Sequence, residues 1–229
     1  MKLYELIGRD PKNGFSPFAW RTKMALAHKG LASETIGLRF TEIKETLSFT
    51  GSKTVPVLVD RDQIISDSWN IACYIEEQYP EKPSLFGGDA GKAAAQLLGH
   101  QIARPLLMPL FRTLVADIYG VLDEDDQKFF RETREPRIGC TIEEAAIDFE
   151  DALKTFQTNL LPYQDYFKDA DFLSGRQAAY SDYLLYGMFL WARATSNKKL
   201  MKDDNPINLW IKRMDDLYDG LGGSVELIK

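Results

Sequence analysis

Along residues 1–86, apolar positions shift between the two-residue repeat of a strand and the three-to-four-residue repeat of a helix. Lys2 to Leu6 alternates polar and apolar side chains and predicts a first strand. Gly8 to Phe15, with two glycines and a proline, is a loop. Ser16-Pro17 then forms a strong helix start, with serine as cap and proline, which lacks an N–H to satisfy, at the first helical position. That helix runs to about His28-Lys29 and stops at Gly30. Glu34 to Leu38 predicts a second strand and Val57 to Val59 a third. Asp60-Arg61-Asp62 turns the chain into Gln63–Ser66, completing a hairpin. A helix from Ser68 ends at Tyr79-Pro80, where proline forbids continuation. The order β-α-β, an irregular stretch, then β-β-α suits a small mixed sheet of four strands.

Beyond this point strand signals vanish. Lys92 to about Gly120, Ile142 to about Phe167, Asp182 to about Thr195 and Pro206 to about Leu221 all carry helical spacing. The run Asp123-Glu124-Asp125-Asp126 cannot turn four carboxylates toward one ion on a helix, and reads as a solvated interhelical loop. The chain thus divides into an α/β domain over 1–80, a linker over 81–91 and an all-helical domain over 92–229.

Composition narrows the function. With 229 residues, 45% apolar and 12% aromatic, the chain can bury a substantial core. A formal charge of −6 argues against nucleic acid and against an anionic membrane surface. The longest apolar stretch, Tyr183 to Ala192, is too short to span a bilayer and predicts a buried helix. The start MKLYELIGRD enters strand-like sequence with no signal-peptide pattern, and Cys73 and Cys140 stand in no metal or redox spacing. Together these predict a reducing, cytoplasmic location and no partnership with membrane or nucleic acid.

No nucleotide-binding glycine loop, Walker loop or nucleophile elbow is present. His28 and His100 lie in separate helical segments without metal-binding spacing, so no metal is expected, and His28 suits an ordinary helix C-terminus. Three sites remain. Ser16 is explained by capping alone. A second reading has its hydroxyl donating to a thiolate beside the helix N-terminus, where a thiol of reference pKa about 8.5 is lowered. No base is in evidence to make it a nucleophile. Val55-Pro56 places proline among β-branched residues, where it cannot donate to a ladder. A trans edge-strand proline is one explanation; a cis bond would leave the Val55 backbone exposed for pairing. Asp67-Ser68 begins a helix without glutamate or glutamine three residues on, so no capping box closes and acceptor capacity remains. In this order the three suggest a protein that holds a small peptide by its backbone.

Those residues resemble the glutathione transferase superfamily over nearly the whole chain: Ser16-Pro17-Phe18-Ala19-Trp20-Arg21, Thr54-Val55-Pro56, Asp67-Ser68 and the Gly175…Asp182 segment. More narrowly, SPFAWR (16–21), FFRETRE (129–135), FLWARA (189–194) and the 203–222 segment resemble the serine-type branch of bacterial β-aryl etherases and related fungal transferases. The resemblance implies a thioredoxin-like first domain that binds glutathione and a helical bundle that supplies the electrophile pocket. It implies that Ser16 stabilises the glutathione thiolate. Val55, before a cis Pro56, would pair with the cysteinyl unit, and Asp67 and Ser68 would take the γ-glutamyl amine and carboxylate. Lys53 would meet the glycyl carboxylate, with a solvated loop lysine as its competing reading. Tyr4 lies inside the first strand and is assigned to structure. The family's usual capping residue three positions before Asp182 is replaced by Ala179, which predicts the loss of one capping bond worth about 1 kcal/mol.

The implied chemistry is attack of the glutathione thiolate on a hydrophobic, aromatic electrophile, including cleavage of a β-aryl ether with loss of a phenolate: an alkyl or aryl transferase of detoxification type. Trp20, Met108, Phe111, Tyr119 and Trp191 are the candidate pocket residues, each with a core role as its competitor. The alternative is a non-catalytic protein that binds aromatic hydrophobic compounds. Glutathione-dependent thiol reduction is weakened, because no cysteine stands near Ser16. The family also implies a homodimer, the first domain of one chain against the helical domain of the other.

Overall fold

A computed structural model describes residues 1–225. The predicted second domain extends to 229, and its last four residues lie outside the described ones. Strands β1 (Lys2–Leu6), β2 (Glu34–Leu38), β3 (Val57–Asp60) and β4 (Gln63–Ser66) form a sheet of order β2-β1-β3-β4. β1 and β2 are parallel, whereas β3 runs antiparallel to both β1 and β4, so the sheet is mixed as predicted. Helix α1 (Pro17–His28) connects the parallel pair, the short α2 (Ile43–Thr46) and a 3₁₀ turn (Ser48–Thr50) fill the irregular stretch, and α3 (Ser68–Gln78) closes the unit. This is a thioredoxin-like fold.

The rest is helical: α4 (Asp89–Ala103), α5 (Leu107–Gly120), α6 (Glu124–Ile138), α7 (Ile142–Ile147), α8 (Phe149–Asn159), α9 (Leu161–Tyr166), α10 (Tyr180–Thr195) and α11 (Pro206–Asp215). Two long predicted helices are divided. Pro105, which has no N–H, interrupts the ladder between α4 and α5. Asp148 leaves helical geometry at φ −94°, ψ 15° and separates α7 from α8. The last helix stops at Asp215 instead of Leu221, because Tyr218, Asp219 and Gly220 all take positive φ.

The acidic run is a correction. Asp123 caps α6 by accepting from the N–H of Asp126 at 3.0 Å, and the following carboxylates occupy the first turn, where the positive end of the helix dipole favours them. Asp126 is not solvated. It is buried and accepts from the backbone N–H groups of Phe40 (2.8 Å) and Thr41 (2.9 Å) and from the Thr41 hydroxyl (2.9 Å). Alongside it, Arg39 pairs with Asp123 at 2.9 Å. The loop after β2 is therefore fastened to the start of α6.

The core is continuous between the two halves, with α10 at its centre and packed along α1. Gly187 permits that approach: a Cβ there would lie 2.5 Å from the Pro17 carbonyl oxygen. At the start of α10, Ala179 supplies no side-chain cap, as the sequence implies. The fully buried Asp182 accepts from the N–H groups of Leu173 (2.7 Å), Ser174 (3.2 Å) and Ala179 (3.1 Å) and from Trp210 Nε1 (2.9 Å). Burial pushes its pKa up, and these four donors oppose the shift.

Candidate active site

One cleft of about 920 Å³ opens between the sheet unit and the helices. Its polar wall is made by the N-terminal ends of α1 and α3 and by the chain entering β3. Its opposite wall is aromatic and comes from α5, α6 and α10 together with Phe40 of the fastened loop.

On the polar wall, Ser16 is buried, and its Oγ accepts from the Ala19 N–H at 3.3 Å. Capping uses an oxygen lone pair and leaves the hydroxyl hydrogen free to donate into the cleft. Pro17 has no N–H, and Ala19 and Trp20 are satisfied by Ser16, so the Phe18 amide has no partner among the described residues. α3 begins in a parallel way. Asp67 Oδ1 accepts from Trp69 (2.9 Å) and Asn70 (3.2 Å), and its carbonyl accepts from Ile71 (2.9 Å), which leaves the Ser68 N–H without a partner among the described residues. Asp67 adopts φ 76°, ψ 134°, a strained conformation for a residue with a side chain, of the kind concentrated at ligand sites. Its second carboxylate oxygen has no hydrogen-bond partner among the described residues.

Between these helix starts the Val55-Pro56 peptide is cis. Among the described residues, neither the N–H nor the carbonyl of Val55 is hydrogen-bonded, whereas the Pro56 carbonyl accepts from the Asp67 N–H at 3.3 Å. An unpaired stretch of backbone is thus presented beside two helix N-termini. Lys53 is exposed at the cleft and forms no ion pair among the described residues. Behind this wall lies Arg21, a residue the sequence reading quoted without assigning it a role. Its guanidinium stacks 4.8 Å from the Phe18 ring, and its Nε and Nη2 are buried without hydrogen-bond partners among the described residues. Burial pulls its pKa down, while Tyr180 and Asp67 act in the opposite direction.

Ser16, Lys53, Val55, Pro56, Asp67, Met108, Phe111 and Trp191 are brought together on the cleft. Ser68, Trp20 and Tyr119 are not. The Ser68 side chain is buried, and its carbonyl accepts from the Tyr180 hydroxyl at 2.9 Å. Trp20 turns inward to donate from Nε1 to the Gly14 carbonyl at 2.8 Å, with the Lys23 ammonium 4.3 Å above its ring. Tyr119 lies beneath the Arg131 guanidinium, 5.0 Å away, and Glu143 and Glu135 hold that arginine in place. The aromatic wall also contains Phe40, Phe129 and Phe130, which sequence reasoning missed. Phe111 stacks on Trp191 at 6.1 Å and meets Phe130 edge-on at 6.3 Å. Residues 130, 134 and 137 recur at i, i+4 and i+7, a helical face that becomes visible once the acidic run is read as a helix start.

His28 offers no base to the cleft. Its Nδ1 is 2.7 Å from the Tyr183 hydroxyl, which bonds to that of Tyr218 at 2.5 Å, and burial lowers its pKa.

Comparison with known proteins places both halves of the chain in one family. Residues 15–78 match the glutathione S-transferase N-terminal domain, and residues 93–217 match the C-terminal domain of the same family. A zeta-class glutathione S-transferase of Euphorbia esula is 34% identical over 119 residues, 49% of this chain and 52% of that protein. The chain thus spans about half the length of this curated relative. In fold, it is similar to a glutathione transferase of Phanerochaete chrysosporium (TM-score 0.84, 22% identity, 100% of this chain and 98% of that one). It is equally similar to a glutathione S-transferase of Ceriporiopsis subvermispora solved in complex with glutathione (TM-score 0.84, 20% identity, 100% and 98%). With both domain types matched in order, and the C-terminal one over more than half of its length, the chain belongs to the glutathione S-transferase family.

Proposed function

We propose that this chain binds glutathione on the polar wall and directs its thiolate at an aromatic electrophile held on the opposite wall. The observation that carries this reading is the convergence of three features: a free serine hydroxyl hydrogen, an unpaired Val55 backbone beside a cis proline, and an Asp67 oxygen with no partner among the described residues. The extended cysteinyl unit pairs with Val55. The γ-glutamyl ammonium meets Asp67, its carboxylate takes the free Ser68 amide, and Lys53 receives the glycyl carboxylate. The sulfur then lies at Ser16 and the start of α1, where a hydroxyl donor and the helix dipole favour the thiolate.

The thiolate forms a C–S bond to the electrophilic carbon, and the bond from that carbon to its leaving group breaks with the electron pair departing on the leaving group. In a β-aryl ether that group is a phenolate. The protein contributes orientation of two reactants and stabilisation of sulfur charge, with no protein nucleophile. This makes it an alkyl or aryl transferase of detoxification type. The unpaired cysteines Cys73 and Cys140 support a reducing, cytoplasmic setting. Family membership supports a homodimer, which sedimentation checks.

The decisive experiment titrates the thiol of bound glutathione in the parent and in Ser16→Ala, alongside conjugation of chlorodinitrobenzene. The proposal requires a higher thiol pKa and slower conjugation in the variant. Undiminished conjugation removes Ser16 from the mechanism. The apolar lining of the cleft favours a second reading, non-catalytic binding of aromatic compounds, which gains if an aromatic dye binds and no electrophile is turned over.

A further inference from the structure

A protein with a formal charge of −6 surrounds this cleft with four cations, Lys44, Lys53, Arg134 and Arg137, and one carboxylate, Asp67. Lys53 and Asp67 belong to the polar wall. The two arginines stand on α6, on the aromatic side. Arg131 of the same helix is neutralised by Glu135 and Glu143, but neither Arg134 nor Arg137 forms an ion pair among the described residues. Arg134 is half-buried and lies against two rings, 5.1 Å from the centre of Phe40 and 5.4 Å from that of Phe130, with Nη1 donating to the Thr133 hydroxyl at 2.8 Å. Burial lowers its pKa, and the neighbouring charge of Arg137 lowers it further. Two adjacent guanidiniums, one of them partly desolvated, form an unfavourable arrangement that a bound oxyanion relieves.

Their place relative to Ser16 is also defined. Phe15, next to Ser16, lies 6.2 Å from Phe40, and Phe40 in turn carries Arg134. An aromatic row thus leads from beside Ser16 to Arg134, so a ligand lying along it has an apolar body at the Ser16 end and a charge at the far end.

We propose that Arg134 and Arg137 form an oxyanion subsite, and that the physiological electrophile is an aromatic compound bearing a carboxylate or an equally compact anionic group. The assignment of an electrophile rests on the transferase reading above; the anion subsite itself does not.

The test compares two fluorescent dyes of the same aromatic body, anilinonaphthalene sulfonate and the neutral phenylnaphthylamine, with the full chain in moderate salt. The quantity read is the ratio of their dissociation constants, which cancels any general loosening of the cleft. In Arg134→Gln/Arg137→Gln the preference for the anionic dye is expected to fall about tenfold or more, the worth of one charge-assisted hydrogen bond. Arg137 is exposed, so Arg137→Glu should fold like the parent and lower the same ratio. A second pair, chlorodinitrobenzene and chlorodinitrobenzoate, reads the same preference in KM. An unchanged dye ratio in both variants overturns the proposal, even if both dyes bind more weakly. Lost glutathione affinity with an unchanged ratio also overturns it, assigning the arginines to the co-substrate. A lowered dye ratio without conjugation of either electrophile upholds the anion subsite and overturns the transferase reading instead.

Discussion

The two walls of the cleft are built on opposite plans. The polar wall uses local devices: a serine that caps its own helix, an aspartate that caps the next, and a residue before a proline whose backbone has no partner among the described residues. Each function resides in one or two atoms set by sequence neighbours. The aromatic wall is collective, assembled from Phe40, Met108, Phe111, Phe130 and Trp191, residues that meet only after the helices pack. The polar wall should therefore fail at single atoms, while the aromatic wall should yield gradually.

The largest effect is expected at Ser16. Removing a donor aimed at developing or stabilised charge lowers rates by roughly 10²–10³-fold, and Ser16→Ala should lose conjugation on that scale. Threonine would retain a hydroxyl at this position, so Ser16→Thr should recover part of it. Loss of the cap costs stability only about 1 kcal/mol, which chemical denaturation separates from the rate effect.

Asp126 is the point where the two plans meet. Asp126→Ala strips an acceptor from two backbone amides and a hydroxyl. A destabilisation of about 2–3 kcal/mol is expected in urea unfolding, because buried donors left unpaired cost about 1–3 kcal/mol each and part of that loss is recovered by hydration. The KM for an aromatic electrophile should rise as Phe40 loosens, with little change for glutathione.

A single ring should matter less. A double-mutant cycle on Phe111→Leu and Trp191→Leu is expected to give a coupling energy of about 1 kcal/mol for the stacked pair. If Phe111→Leu alone slowed conjugation as much as Ser16→Ala, the contrast between walls would fail.

The smallest effect lies outside the cleft, in the sheet unit. Tyr79 donates to Asp60 Oδ2 at 2.5 Å, and this bond, with burial and the carboxylate charge, pushes its pKa up to about 12. The folded form keeps its proton where the unfolded chain, near pH 10, loses it. The resulting stability is present below about pH 10 and lost as pH rises through about 12. Tyr79→Phe should make this part of the stability profile less steep while leaving the neutral-pH cleft intact.

The same contrast explains what could be read from the sequence. Ser16-Pro17, Val55-Pro56 and Asp67 were legible because capping and proline chemistry act within three residues of their cause. The positions of the four strands along the chain followed from short-range alternation and turns. Trp20, Tyr119 and Phe130 were not separable by spacing, because each is aromatic and helical. Only packing decides that Trp20 faces Gly14 and that Tyr119 lies under Arg131. The acidic run misled for a different reason: a helix start and a solvated loop share a composition, and Asp126 finds its partners 85 residues away at Thr41.

That carboxylate has a mechanical consequence. It fixes only the first turn of α6, while Arg137 stands eleven residues further along the same rod. At 1.5 Å per residue the lever arm is about 16 Å, so a tilt of about 5° about Asp126 carries the arginine end through roughly 1.4 Å. The sheet-side end is held by Asp126, and the far end by Arg112, which donates to the Ile138 carbonyl, and by Arg131, which pairs with Glu143 of α7. Substitutions at those far ties can thus re-gauge the reach of the aromatic wall without disturbing the polar wall.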